Sequence, residues 1–170
     1  MRATVKQILK KDFSANKDIR NNYFFYIYRY GHYFHQKCGE FFFYKPVDYF
    51  IRFIYRNTIN KYNHIPLETN IGRGLRCPHL IGIVLSGKAS IGESCTIMHQ
   101  VTIGVDDIKG GGAPTIGSNV FIGAGAKIIG DITIGNNVVI GAGAIVTKNI
   151  SDGRTVVGIN RVLTKETERN

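Results

Sequence analysis

From Ile71 onward one aliphatic position recurs at multiples of six. Ile71, Ile91, Ile103, Ile116, Ile122, Ile134 and Ile140 are each followed by glycine, at separations that include six, twelve and eighteen positions. Four positions after these isoleucines, or after their equivalents in the repeat, stand Leu75, Cys95, Val101, Val120, Ala126, Ile132, Val138, Ala144 and Ile150, all small or apolar. Each six-residue unit reads as one short strand and one turn, and three such units make one triangular coil. The aliphatic and small positions then point inward and stack at the roughly 4.8 Å spacing of adjacent strands. The glycine after the isoleucine serves the tight corner.

Two interruptions break this period, and in a solenoid function concentrates where regular stacking is abandoned. Cys77 to Leu85 takes eight residues where six are expected, and Ile103 to Ile116 takes thirteen, including the glycine-rich loop from Val105 to Ala113. Counted through the first interruption, Cys77 and Ile97 lie one full coil apart. His79 and His99, each two residues later, therefore project from the same face of consecutive coils, in a cleft beside the loop.

Over about residues 70–163 the chain resembles the hexapeptide-repeat acyltransferases. The resemblance is carried by Ile71-Gly-Arg-Gly, by His79 with Gly82-Ile-Val, by Val101-Thr-Ile-Gly and by Ile122-Gly-Ala-Gly-Ala-Lys-Ile-Ile-Gly. These segments are similar to the serine acetyltransferase branch, and closer still to the O-acetyltransferases of capsular and exopolysaccharide biosynthesis. The resemblance implies a mainly β fold, a left-handed parallel β-helix with an N-terminal α-helical segment. The hand comes from the resemblance, because the general rule for parallel crossovers gives the opposite one. It also implies a homotrimer, acetyl-CoA as acyl donor and no metal.

Acetyl transfer from a thioester to an alcohol needs a base near neutrality, for which histidine is the best-matched side chain. His79 matches the family's catalytic histidine. His99 has a histidine counterpart in the polysaccharide branch and a glutamine in the serine enzymes, and is read as positioning the acceptor or as a structural hydrogen-bonding group. Ala124 and Ala142, one regular coil apart, match acetyl-CoA contact positions, with Thr102 and Gly104 on the same face one coil earlier. Lys148 and Arg161 are candidates for the nucleotide phosphates. The aspartate that precedes the histidine in serine acetyltransferases is Pro78 here, the upstream aspartate that orients the imidazole falls near His64, and a second histidine falls near Ala113. Glu68 is the available substitute for the orienting carboxylate, and His64 and Glu68 are both taken as acceptor-side candidates.

The segment before the repeats, Met1 to His64, differs in kind. It holds 12 Lys/Arg against 4 Asp/Glu, all nine tyrosines and nine of the ten phenylalanines. Apolar spacing is helical: Val5, Ile8 and Leu9 form one stripe, Val47, Phe50, Ile51 and Ile54 another behind Pro46, and Tyr23 to Phe34 is aromatic nearly all round. Such a helix needs cover on several faces, which predicts packing against neighbouring chains. The division expected is a helical segment over 1–64, the repeat domain over 65–163 and a tail over 164–170. With the charge confined to one third of the chain, nucleic acid is not expected as a partner; a basic aromatic segment suits an anionic membrane surface or a solvated helical cap. With no signal peptide visible and three irregularly spaced cysteines, the chain is expected to be cytoplasmic, at most at the inner face of the membrane, with reduced thiols.

The leading function is transfer of acetyl to a hydroxyl acceptor, a sugar of a surface polysaccharide or its precursor, and the alternative is serine O-acetylation. Two further readings are a γ-type carbonic anhydrase, counting His64, His79 and His99 as zinc ligands, and a non-catalytic trimeric scaffold.

Overall fold

The computed structural model describes residues 4–16, 19–38 and 45–163. In the sequence Gly31 and Gly39 punctuate the aromatic stretch; Gly39 and the 164–170 tail lie outside the described residues. Three helices come first: α1 (Val5–Ala15), α2 (Ile19–Cys38) and α3 (Lys45–Thr58). Thr4 caps α1, its hydroxyl accepting from the Gln7 amide while the Gln7 side chain accepts from the Thr4 amide, a reciprocal box that satisfies two otherwise orphaned donors.

Thirteen short strands follow and form three sheets, one per side of the triangle. The first stacks β1 (Asn70–Ile71), β3 (Ser90–Ile91), β6 (Thr115–Ile116) and β9 (Thr133–Ile134). The second stacks β4 (Thr96–Ile97), β7 (Phe121–Ile122), β10 (Val139–Ile140) and β12 (Thr155–Val157), closed by the antiparallel β13 (Arg161–Leu163). The third stacks β2 (Val84–Leu85), β5 (Thr102–Gly104), β8 (Lys127–Ile129) and β11 (Ile145–Val146). This is a left-handed parallel β-helix.

Register gives the coil lengths directly. Asn70 pairs with Ser90, Ser90 with Thr115 and Thr115 with Thr133. The last of these steps is a regular coil of three six-residue units, and the first two exceed it by two and by seven residues, the surplus that each interruption adds. A third irregularity was not foreseen: Ile134 bridges to Ile150, a coil two residues shorter than the regular one, the loss falling after Val146.

All seven repeat isoleucines are at most 5% exposed, and the residues four positions later are buried as well. Each buried isoleucine contributes roughly 1.5–3 kcal/mol, so the ladder is the main source of the domain's stability. One corner column uses Gly74, Ser94, Asn119, Asn137 and Gly153, every one at positive φ. Glycine and asparagine, four of the five, adopt the left-handed backbone conformation at little cost.

The helices close the open end of the coils. The first coil has no strand above it, so its backbone groups need other partners. Asp12 Oδ1 accepts from the amides of Gly74 (2.7 Å) and Leu75 (3.2 Å). Asn16 accepts from the Cys77 amide (3.0 Å) and donates to the Leu75 carbonyl (2.7 Å). Arg29 donates to the Ile71 and Gly72 carbonyls and to Asp12, and the hydroxyls of Tyr28 and Tyr55 donate to the carbonyls of Thr69 and Ile65. Burial pushes both phenols up and the Cys77 thiol up to about 12, which leaves that thiol inert.

Among the described residues the aromatic helix is covered on one side: Phe24, Phe25 and Tyr28 are buried, whereas Tyr23, Tyr26 and Tyr33 are exposed. Of the Val47, Phe50, Ile51 and Ile54 stripe, Ile51 and Ile54 are half-buried and the other two depart from expectation. Val47 is 41% and Phe50 62% exposed, because α3 turns Tyr55 toward the coils.

Candidate active site at a corner of the coils

The first interruption builds a bulge at one corner. The Ile81 amide donates to the His79 carbonyl two residues back (3.0 Å), and Ile81 then supplies the carbonyl that receives the Gln100 amide (2.9 Å). The two extra residues are thereby looped out and carry His79 into solvent. Counted from the Arg76–Thr96 bridge His79 and His99 are twenty residues apart, but past the bulge Ile81 is the coil neighbour of His99, so His79 reaches His99 from the looped-out segment. Their rings lie 5.8 Å apart, centroid to centroid, at 71°. His99 is half-buried, and its Nδ1 is buried with no hydrogen-bond partner among the described residues.

A positive-φ residue follows His99: Gln100 has φ 58°, where the same corner of the later coils has Gly125 and Gly143. A glutamine there costs about 1–2 kcal/mol of backbone strain. Its carbonyl is held by Lys127 Nζ (3.1 Å), which also donates to the Thr102 hydroxyl (3.0 Å). Lys127 was not singled out in the sequence, although it sits inside the Ile122-Gly-Ala-Gly-Ala-Lys segment; a lysine among small residues on a flat face was the available signal.

Below the histidine pair the same corner continues in small residues. The His99 carbonyl accepts from Gly125 (3.0 Å) and the Ala124 carbonyl from Gly143 (2.8 Å), so His99, Ala124 and Ala142 form one column. A Cβ added at Gly143 would meet nothing within 4 Å, so this ledge faces open space. Thr102 and Gly104 are not in that column but on β5, the strand that follows the corner, where Thr102 is the register partner of Lys127. At the far end Asn160 accepts from the Thr147 amide (2.8 Å) and donates to its hydroxyl (2.9 Å). The exposed Lys148 and Arg161, each the next residue, flank this contact.

His64 and Glu68 stand elsewhere in the chain. His64 is bridged to Val84 and lines a cavity of about 370 Å³ between α3 and the first coil, together with Glu68. The expectation that Glu68 orients His79 needs correction. Arg52 NH2 holds the Glu68 carboxylate at 2.8 Å and Arg52 Nε holds Asp48 at 2.9 Å, and no described contact joins Glu68 to His79. Burial raises the Glu68 carboxyl, but the bond to Arg52 outweighs it and keeps the group below its usual value. The second interruption leaves the coil at the end of β5, runs through a 3₁₀ turn at Asp107–Lys109, and is tied by the Gly111 amide to the Asp106 carbonyl (2.9 Å). Among the described residues no group of three or more His, Cys, Asp or Glu side chains could hold a metal ion.

A coil of repeating six-residue units is the architecture of hexapeptide-repeat proteins, and residues 113–148 match the family described as bacterial transferase hexapeptide (six repeats). Serine acetyltransferase of Helicobacter pylori is 46% identical over 63 residues, 36% of this chain and 37% of that protein. Serine acetyltransferase of Staphylococcus epidermidis is 41% identical over 100 residues, 58% of this chain and 47% of that one. The chain thus spans less than half the length of these curated relatives.

Among solved structures, serine acetyltransferase of Neisseria gonorrhoeae superposes with a TM-score of 0.75 at 26% identity, covering 98% of this chain and 69% of that one. Isoform 3 from Entamoeba histolytica, in complex with cysteine, gives 0.73 at 29%, covering 95% and 60%. The chain is thus similar to the hexapeptide-repeat transferases over residues 113–148, and to serine acetyltransferases over the segments and structures just named.

Proposed function

We propose that this chain is an acetyl-CoA-dependent O-acetyltransferase, acting as a homotrimer, with His79 as general base. The observation that carries it is the corner column: an exposed imidazole on a bulge, a second imidazole one coil on, and a ledge of alanine and glycine beyond. His79 takes the proton from the acceptor hydroxyl as its oxygen attacks the thioester carbonyl, and returns that proton to the departing thiolate. His99, its ring 5.8 Å from that of His79, holds the acceptor in this reading. Ala124, Ala142, Thr102 and Gly104 border the groove for the pantetheine arm, and Lys148 and Arg161 await the phosphates.

The relatives named above support serine as the acceptor better than a polysaccharide sugar. Pro78 in place of an acid beside His79 is the one observation that keeps a sugar hydroxyl as a second reading. His79→Ala is expected to lower kcat by about 10²–10⁴-fold, the usual contribution of a positioned base, with acetyl-CoA affinity by calorimetry unchanged. Near-full turnover in this variant, measured with serine or with whichever acceptor is used, would assign the base elsewhere.

We also propose that α3 rests on an anionic membrane surface. No described helix is long and apolar enough to cross a membrane. However, Val47 is 41% and Phe50 62% exposed beside Lys45, in a segment rich in positive charge, the pattern of an interfacial helix. Phosphatidylglycerol vesicles should co-sediment the protein and phosphatidylcholine vesicles should not; equal behaviour on both would remove this role.

A further inference from the structure

The cavity between α3 and the first coil is lined by Tyr49, Phe53, Arg56, Asn60, His64 and Glu68, with Arg52 at one side. Its charges are unevenly satisfied. Arg52 is neutralised by Asp48 and Glu68, and those bonds leave the Glu68 carboxylate occupied. Arg56, one turn farther along α3, is exposed and has no carboxylate partner among the described residues. Asn60 Oδ1 accepts from the Ile65 amide (3.2 Å), which fixes the side chain and leaves its amide N–H groups as the free end. His64 has its backbone locked in the sheet by bonds to Ile83 and Leu85 (2.8 and 2.7 Å), with its ring exposed. Arg56, Asn60 and His64 thus line one space whose acidic group is already taken, beside the rings of Tyr49 and Phe53.

The cavity is joined to the catalytic corner by one stretch of chain. The Tyr62 carbonyl accepts from Gly82 (2.8 Å), and Asn63 donates to the Leu80 carbonyl and accepts from the Ile83 amide, both at 3.1 Å. Residues 62–64 thus brace the bulge that carries His79 and at the same time supply a wall of the cavity. We infer that this cavity takes the carboxylate of an acidic acceptor, with Arg56 as the residue that selects for it. This rests on the acetyl-transfer reading and names its acceptor class. A carboxylate there would receive charge-assisted hydrogen bonds from Arg56 and Asn60, with an apolar face of the ligand on the rings.

The test uses two acceptor pairs that differ only in the acid, L-serine with L-serinamide and D-galacturonate with D-galactose, in turnover and in calorimetry with the full chain. The acidic member of at least one pair should bind and be preferred, and the pair that responds tells an amino acid from an acidic sugar. Arg56→Gln should raise KM for that acid about ten- to hundred-fold, as expected for loss of a bond to a charged group, with kcat and the neutral analogue little changed. Arg56→Lys should recover part of it. Absence of acid binding to the wild type, an equal response of acid and its neutral analogue, or a loss confined to the melting temperature would overturn the inference. Calorimetric titration with acetyl-CoA alone separates this from failure of acetyl transfer itself: acid binding lost in Arg56→Gln supports the cavity even without turnover, whereas absent acetyl-CoA binding refutes only the transferase.

Discussion

The helical cap and the coil ladder solve opposite problems with opposite means. Between β6 and β11 each coil meets its neighbours through identical inward positions, so no single residue is irreplaceable and stability grows with the number of coils. The cap has one surface to match, the open edge of the first coil. It matches it with Asp12, Asn16 and Arg29, each making several hydrogen bonds. The contrast teaches that a solenoid's interior tolerates change and its end does not: a half-satisfied polar network in a buried place is worse than none. It also suits the proposed placing of the chemistry at a corner of the coils, where residues outside the ladder can vary.

The largest expected effect tests that asymmetry. Asp12→Ala leaves the Arg29 guanidinium, only 4% exposed, without its counter-ion and orphans the Gly74 and Leu75 amides. It should destabilise by about 3–5 kcal/mol, as breaking one side of a buried pair does. Ile128→Val, in the middle of the ladder and fully buried, should cost only about 0.5–1.5 kcal/mol. Denaturant melts of both variants decide it; equal losses would mean that cap and ladder share the load.

A smaller effect sharpens the comparison through pH. Burial is the main cause holding His32 below its ordinary 6.5, against the favourable bond to the Leu67 carbonyl, and the nearby Arg29 and His35 charges add to the depression. Since the folded value lies below the unfolded one, protonation favours the unfolded chain. This contribution is fully present above 6.5 and is lost as pH falls below it toward the folded value. Glu68 and Glu93, also held low, begin to act only below their ordinary 4.5. Melting temperature should therefore decline in a first step just under 6.5 that disappears in His32→Gln. A first step unchanged in this variant would place the sensitive group outside the cap.

Much of the repeat domain was legible before any coordinates. The six-residue period placed the isoleucines and their small partners inside and brought His79 and His99 to one corner, because in a solenoid spatial neighbours lie at a nearly constant offset along the chain. The ledge of Ala124 and Ala142 follows from the same count. The left hand was implied by family resemblance rather than by period, and the short coil ending at Ile150 escaped notice since a deletion leaves no extra residues to see.

Tertiary structure alone decided the rest. Asp12, Arg29 and Gly74 meet across about sixty residues with no repeat to relate them. That Glu68 belongs to Arg52 and not to His79, and that Arg56 faces a cavity without a carboxylate partner among the described residues, depends on how α3 crosses the first coil. Period can predict a contact only where the chain returns to the same place at fixed intervals, and a helix docked once on an open end has no such interval.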